Sequence, residues 1–178
     1  MTHERLERGL IQVYTGDGKG KTTCALGLAL RAVGHGLQVY MIQFMKGRPT
    51  GEAAAAARLA PDFTLRSFGR PGLVNLRSPA PEDLALVQDG FSLGRGIIKS
   101  GNHDLVILDE INLTLTYGLL PLDEVMDLLR HRPPWVEVVL TGRAAPPELI
   151  ELADLVTEMH PVKHYYQAGI PARKGIEW

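Results

Sequence analysis

A segment rich in glycine and lysine, TGDGKGKTT at positions 15–23, is the strongest candidate for chemistry in this sequence. It follows a short apolar run and precedes a segment with helical spacing, which is the context that a phosphate-binding loop requires. Its glycines allow a tight turn, so that backbone N–H groups and a helix N-terminus can face phosphate oxygens. We expect Lys21 to add a positive charge beside the phosphates and the Thr22 hydroxyl to ligate Mg²⁺.

The loop departs from the usual spacing G-x-x-x-x-G-K-[ST]. Thr15 stands where the first glycine is expected, and Lys19 is an additional lysine. A glycine-rich turn without a ligand is the alternative. The residues that we assign to phosphate binding are Gly16, Asp17, Gly18, Lys19, Gly20, Lys21, Thr22 and Thr23.

Two adjacent carboxylates end an apolar run, LVILDE at positions 105–110. In phosphate-loop proteins such a strand supplies an acidic partner for the metal, and we expect it to lie beside the strand that leads into the loop. If the strand geometry continues, Asp109 and Glu110 point to opposite faces, so that only one ligates the metal directly. The other would orient water or the Thr22 hydroxyl. A pair of N-cap residues ahead of Asn112 is the alternative.

Three further cations follow predicted strands: Lys46, Arg143 and Lys163. Ligands of an open parallel sheet bind outside the carboxyl ends of its strands, so these cations could serve a polyphosphate. Each could instead be an ordinary solvated charge. Cys24, just inside the first helix, is expected to be a small buried core residue rather than a catalytic thiol.

Strand and helix patterns alternate along the chain, which indicates right-handed crossovers and a parallel sheet. Strands are predicted at 10–14, 37–44, 63–67, 105–108, 136–140 and 155–159, and helices at 21–33, 52–59, 81–99, 122–130 and 147–153. The predicted fold is a three-layer α/β fold of the P-loop NTPase (RecA-like) type. Its mostly parallel central sheet has about six strands and is flanked by helices.

Composition excludes several classes of protein. The 178 residues include 19 lysines and arginines against 20 aspartates and glutamates, so no global basic surface suits nucleic acid or an anionic membrane. No apolar run approaches the roughly 18 residues of a membrane span, and the first ten residues lack the features of a secretory signal. One cysteine excludes an internal disulfide. We expect a cytoplasmic protein with a single domain over residues 1–178.

Taken together, these stretches resemble the P-loop class of ATP:cob(I)alamin adenosyltransferases, the corrinoid adenosyltransferases of cobalamin biosynthesis and salvage. The resemblance runs nearly from end to end. The stretches that carry it are TGDGKGKTT (15–23), LALRAVGHGLQV (28–39), QFMKG (43–47), VILDEI (106–111), YGLLPLDEV (117–125), TGR (141–143), ELADLVTEM (151–159) and PVKHYYQAGIPARKGIEW (161–178).

The resemblance implies an enzyme that transfers the 5′-deoxyadenosyl group of ATP to the Co(I) of a corrinoid and releases inorganic triphosphate. It implies a nucleotide that lies reversed relative to ordinary P-loop NTPases. Lys21, Thr22 and Glu110 would be the catalytic residues, with Thr22 and Glu110 holding Mg²⁺ (or Mn²⁺) and Asp109 in support. Arg31, in the RAVGHG stretch, either reaches the nucleotide or is a surface charge. A reductant such as a flavoprotein and a homodimeric state are also implied.

The chain departs from the family in two places. Enteric members carry an aromatic pair, roughly G-F-T-W, that helps to displace the lower axial ligand, whereas residues 68–74 here read FGRPGLV. We expect Phe68 or Leu73 to be the apolar substitute. An N-terminal extension that covers the site in some relatives is nearly absent, which predicts a more open corrinoid site or one covered by a partner subunit.

Two other functions remain as alternatives to the adenosyltransferase. The first is an NTPase or small-molecule kinase that acts at the γ-phosphate with the same Lys21, Thr22 and Glu110. The second is a regulator that binds nucleotide or corrinoid without turnover.

Overall fold

A sheet of six parallel strands forms the centre of the computed structural model, which describes residues 5–72 and 74–177. The strands are β1 (Ile11–Thr15), β2 (Val39–Phe44), β3 (Phe63–Phe68), β4 (Leu105–Asp109), β5 (Glu137–Thr141) and β6 (Leu155–Glu158). Their order across the sheet is β3-β2-β4-β5-β1-β6, and every neighbouring pair is parallel. The predicted fold class is therefore confirmed.

Helices cover both faces of this sheet. They are α1 (Lys21–Gly34), α2 (Gly51–Arg58), α3 (Pro81–Ser100), α4 (Ile111–Thr116), α5 (Leu122–Arg130) and α6 (Pro147–Leu152), followed by a 3₁₀ turn at Tyr165–Ala168. The sequence patterns predicted five of the helices within about two residues at each end, but not α4 or the 3₁₀ turn. Among the described residues, no helix has the length and apolar character needed to cross a membrane.

Alternate residues of the strands feed two separate apolar cores, because successive side chains of a strand point to opposite faces. In β4, Val106 and Leu108 belong to the core beneath α3, α4, α5 and α6, whereas Leu105 and Ile107 belong to the core beneath α1 and α2. The strand is fully buried on both faces, which explains its continuous apolar sequence. The three layers that were predicted follow from this arrangement.

Helix α1 places its first turn at the end of β1. The face that it turns to the sheet consists of small buried residues, Ala25, Ala29 and Ala32, so that the helix axis lies close to the strands. Gly20, with φ of 128°, forms the sharp entry into the helix. Such a φ strains any residue with a Cβ atom, so glycine is required at this position.

Two expectations were wrong. Strand β4 does not lie beside β1, because β5 pairs with both of them and separates them. Cys24 is exposed rather than buried, because it lies on the outward face of α1 while Ala25 turns inward.

Candidate active site

A large cleft of about 1140 Å³ opens at the carboxyl ends of the strands. Ligands of open parallel sheets bind at this edge. Most of the residues assigned from sequence line the cleft, namely Asp17, Gly18, Lys19, Gly20, Lys21, Thr22, Thr23, Lys46, Glu110 and Arg143. Its volume lies at the upper end of the range of about 300–1000 Å³ that is usual for a ligand pocket, which is sufficient for a nucleotide.

The phosphate loop packs tightly against the residue that follows β6. A Cβ atom on Gly16 would come within 2.5 Å of the Met159 carbonyl oxygen, and one on Gly18 within 2.6 Å. The Gly18 N–H donates to that same oxygen at 2.6 Å. Glycine is therefore needed at both positions, because only glycine lets the loop backbone come this close to Met159. The residue after β6 thereby supports the loop.

Lys21 is folded back over the loop. Its buried ammonium donates to the carbonyl oxygens of Gly16 and Gly18, each at 2.7 Å. Burial lowers the pKa of Lys21, and the nearby charge of Glu110 opposes that effect. The buried amine therefore gains when an anion enters the cleft, because the anion offsets the cost of its desolvation.

Asp109 is buried beneath the cleft and accepts hydrogen bonds on both of its oxygens. Oδ1 accepts from the hydroxyls of Thr22 at 2.8 Å and Thr141 at 2.7 Å. Oδ2 accepts from the Gln43 amide at 3.1 Å and from the Lys46 ammonium at 2.9 Å. A carboxylate has about four lone-pair sites, so these four donors occupy all of them.

The Lys46 ammonium belongs to the same buried network. It lies 2.9 Å from Asp109 and 3.5 Å from Glu52, and Glu52 also accepts from the Gln43 amide at 3.1 Å. Burial lowers the pKa of Lys46, but the Asp109 charge and hydrogen bond outweigh burial, so that its pKa is raised overall. Lys46 therefore stays charged at the edge of the cleft, beside the Asp109 carboxylate.

Glu110 follows Asp109 but does not continue the strand. Its φ of 67° places it in the left-handed region at the N-cap of α4, and its side chain makes no capping hydrogen bond. Its backbone N–H donates to the Thr141 hydroxyl at 3.0 Å, and its side chain lines the cleft. Burial, and then the charge of Asp109, raise the pKa of Glu110. This carboxylate would gain from a nearby cation.

The donor set fits a magnesium ion, because Thr22 and Glu110 line the cleft, whereas Asp109 is fully buried and its oxygens are occupied by hydrogen bonds. The Thr22 hydroxyl gives its proton to Asp109, which leaves its oxygen lone pairs available to a cation. Within residues 5–72 and 74–177, no three His, Cys, Asp or Glu side chains gather as a metal cluster. Mg²⁺ does not need one, because it usually keeps several waters and binds one or two carboxylates and the substrate phosphates.

The remaining predicted cations differ in position. Arg143 faces the loop, with its Nε 3.6 Å from Asp17 Oδ1, and Lys19 donates to the Ile176 carbonyl at 3.1 Å. Arg31 is exposed in the last turn of α1, and Lys163 is exposed in the C-terminal segment. Neither is among the residues that line the cleft. The structure therefore brings Lys19 and Arg143 to the loop, but not Arg31 or Lys163.

The cleft is lined by apolar side chains as well as by the phosphate loop. Met45, Val74, Leu76 and Leu113 are among these side chains. Of the two proposed substitutes for the family's aromatic pair, Leu73 lies outside the described residues. Phe68 packs inward instead, where a Cβ atom on Gly90 of α3 would lie 3.1 Å from its ring. The expectation for Phe68 was therefore wrong, because its ring fills the interface between β3 and α3.

Sequence reasoning missed several polar residues of this site. Gln43 and Thr141 are fully buried and bond to Asp109. Each is a polar residue at the end of an apolar strand, and that pattern was visible in the sequence. Asn112 donates to the Gly142 carbonyl at 3.0 Å and so holds the turn that carries Arg143. Tyr165 and Glu177 also line the cleft, but no sequence pattern indicated them, because their segment has no regular secondary structure apart from one 3₁₀ turn.

Comparison with known proteins gives consistent results. The model of the family described as ATP:corrinoid adenosyltransferase BtuR/CobO/CobP matches residues 7–178. A corrinoid adenosyltransferase of Pseudomonas aeruginosa is 40% identical over 98% of this chain and 86% of its own length. One from Escherichia coli is 39% identical over 97% of this chain and 87% of its own. A solved KaiC-like protein of Pyrococcus horikoshii covers 85% of this chain and 73% of its own, with 18% identity and a TM-score of 0.48. The chain belongs to the ATP:corrinoid adenosyltransferase family.

Proposed function

We propose that this chain transfers the 5′-deoxyadenosyl group of ATP to the Co(I) of a corrinoid substrate in cobalamin biosynthesis or salvage. Co(I) attacks C5′ of ATP, a cobalt–carbon bond forms, and the bond from C5′ to oxygen breaks. The electron pair leaves with inorganic triphosphate. Because the corrinoid supplies the nucleophile, the protein's task is to hold C5′ in line with cobalt and to stabilise the leaving group.

The observation that carries the proposal is the continuity of two unlike surfaces within one cleft. Its lining includes the phosphate loop with Lys19 and Lys21, and apolar side chains such as Met45 and Leu76. A polyphosphate suits the loop, and a large, mostly apolar macrocycle suits the apolar lining. A nucleotide bound by its phosphates in this cleft would therefore share it with the second substrate.

We assign the leaving triphosphate to the loop at residues 16–23. The loop N–H groups other than that of Gly18, which is bonded to Met159, and the N-terminus of α1 would face its oxygens. Lys21 would turn from the loop carbonyls to the phosphates. Arg143 adds a second cation from the end of β5. Thr22 and Glu110 would hold Mg²⁺, which neutralises charge on the triphosphate, while Asp109 orients the Thr22 hydroxyl.

Two further assignments rest on the family resemblance alone, and a third rests on the amino-acid composition. We propose that an external reductant, such as a flavoprotein, supplies the Co(I) state. We propose that the chain works as a homodimer. We also place it in the cytoplasm.

The test is anaerobic incubation of the protein with ATP, Mg²⁺ and chemically reduced Co(I) cobalamin, followed by separation of both products. Light-sensitive adenosylcobalamin together with inorganic triphosphate is the expected result. ADP and phosphate with unchanged corrinoid would instead identify an NTPase or kinase. ATP binding without consumption, with incomplete corrinoids as well as cobalamin, would identify a binding protein.

A further inference from the structure

The C-terminal segment, residues 160–177, folds back over the phosphate loop and completes the cleft. Tyr165, Ile170 and Ile176 are among its residues that line the cavity. Apart from one 3₁₀ turn of four residues, the segment has no regular secondary structure, and most of its residues are exposed. Few backbone hydrogen bonds or apolar contacts therefore hold it in place, and its position depends on particular side chains.

The Glu177 side chain makes several of the polar contacts within this segment. Its carboxylate accepts from the Tyr165 hydroxyl and from the Arg173 backbone N–H at 2.6 Å. The Arg173 guanidinium adds bonds at 3.2 and 3.3 Å and also lies over the Tyr165 ring, 5.0 Å from its centroid. The end of the segment is thereby tied to Tyr165, twelve positions earlier in the chain.

The charge of Glu177 suits this role. Hydrogen bonds from Arg173 and Tyr165 lower the pKa of Glu177 to about 2, so the carboxylate is charged throughout the neutral range. Charge-assisted hydrogen bonds are roughly twice as strong as neutral ones. The contacts between Glu177, Tyr165 and Arg173 therefore form the strongest polar cluster described in the segment.

The same cluster reaches the phosphate loop. The Lys19 ammonium donates to the Ile176 carbonyl and lies 3.7 Å from the Glu177 carboxylate. This ion pair is long and partly exposed, so it contributes little energy by itself. The ion pair matters for position, because it places the end of the segment at 160–177 beside Lys19 of the phosphate loop.

We propose that Glu177 is a positioning residue for ATP: it holds the segment at 160–177 as a wall of the cleft beside the phosphate loop. Tyr165, Ile170 and Ile176 then contact the nucleotide, and Lys19 is kept between the wall and the triphosphate. The inference rests on the proposed function for its substrate, but it makes its own prediction about ATP binding.

The test compares Glu177→Ala with Glu124→Ala, which removes an exposed carboxylate paired with Arg95 away from the cleft. For Glu177→Ala we expect the KM for ATP and the directly titrated Kd for Mg-ATP to rise about tenfold, with kcat within threefold of wild type. Trypsin should cut after Arg173 and Lys174 at least fivefold faster. Tyr165→Phe should show the same pattern with a smaller rise, Glu177→Gln should be intermediate, and Glu124→Ala should match wild type.

Three results would overturn the inference. One is faster cleavage with an unchanged Kd for Mg-ATP, because the segment would then be held by Glu177 without touching ATP. Another is unchanged cleavage in both Glu177→Ala and Tyr165→Phe. The third is a fall in kcat at constant KM. If wild type binds Mg-ATP but adenosylates no corrinoid, the proposed function fails while the titration and the proteolysis still decide the role of Glu177.

Discussion

Replacing Thr141 with valine is the sharpest test of the buried polar network under the cleft. The Thr141 hydroxyl donates to Asp109 Oδ1 at 2.7 Å and accepts from the Glu110 N–H at 3.0 Å, and the side chain is fully buried. Valine has the same shape but no hydroxyl. The substitution therefore removes two hydrogen bonds and leaves the packing of β5 nearly unchanged.

The expected cost follows from these two bonds. A hydrogen bond to a charged group contributes about 1.5–3 kcal/mol, and a buried N–H left without a partner costs roughly 1–3 kcal/mol. The lower part of the second range applies, because Glu110 is only partly buried. Because the two effects share one hydroxyl, they are not fully additive, and we expect a loss of about 3 kcal/mol in the free energy of unfolding. For a chain of this size, Tm would fall by about 6–12 °C.

The assay is equilibrium unfolding in urea or guanidinium, followed by a thermal scan under the same buffer conditions. Thr141→Ser, which keeps the hydroxyl, should lose about 1 kcal/mol or less. Thr157→Val, on the exposed strand β6, should stay within about 0.5 kcal/mol of wild type. A loss below about 1 kcal/mol for Thr141→Val, with the two controls as stated, would show that the hydroxyl does not support Asp109 and Glu110.

Three further predictions concern the loop, the carboxylates and a partly buried histidine. Lys21→Ala should lower kcat/KM for adenosylation at least 100-fold, as measured by steady-state kinetics. Lys99→Ala, which changes an exposed side chain of α3, should leave kcat/KM unchanged. Glu110→Gln should raise the Mg²⁺ concentration for half-maximal activity more than tenfold without lowering Tm, because burial already disfavours its charge. Asp109→Asn should lower Tm, because four donors converge on that carboxylate. Equal Tm values for Asp109→Asn and Glu110→Gln would contradict the assignment of Asp109 to structure and Glu110 to the metal. Burial lowers the pKa of His103 from 6.5, so protonation favours the unfolded chain and the free energy of unfolding should fall as pH drops below about 6.5. In His103→Phe this pH dependence should be weaker than in wild type, and equal slopes in urea titrations at pH 5.5 to 7.5 would refute the assignment.

The sequence predicted the fold well because its strands have unambiguous patterns. A strand such as LVILD that is buried on both faces must be apolar throughout, and the alternation of such strands with helices permits few topologies. The neighbours of each strand were harder to predict. Nothing local in residues 105–110 indicates that β5 separates β4 from β1, because strand order depends on how all the crossovers pack together.

The site was predictable where function requires a local motif and was missed where it depends on contacts between distant segments. The loop at 15–23 has its own signature, whereas Asp109 reaches Thr22 across 87 positions and Tyr165 reaches Glu177 across an irregular segment. The role of Glu110 also depended on geometry. Asp109 and Glu110 would point to opposite faces only if β4 continued through Glu110, but the backbone of Glu110 is left-handed and ends the strand.

Three residues with a left-handed backbone conformation lie just beyond the ends of three central strands, at the edge of the cleft. Met45, Glu110 and Ala144 have φ of 58°, 67° and 51°, and they lie one to three residues beyond the ends of β2, β4 and β5. A residue other than glycine pays of order 1–3 kcal/mol for this conformation, so it persists only where surrounding contacts enforce it. Each left-handed residue carries or adjoins a charged group: Lys46 follows Met45 and bonds to Asp109, Glu110 itself lines the cleft, and Arg143, which faces the loop, directly precedes Ala144. The strain therefore lies in the same short segments that deliver the charged groups, and a more relaxed backbone at these positions would carry those groups away from the cleft.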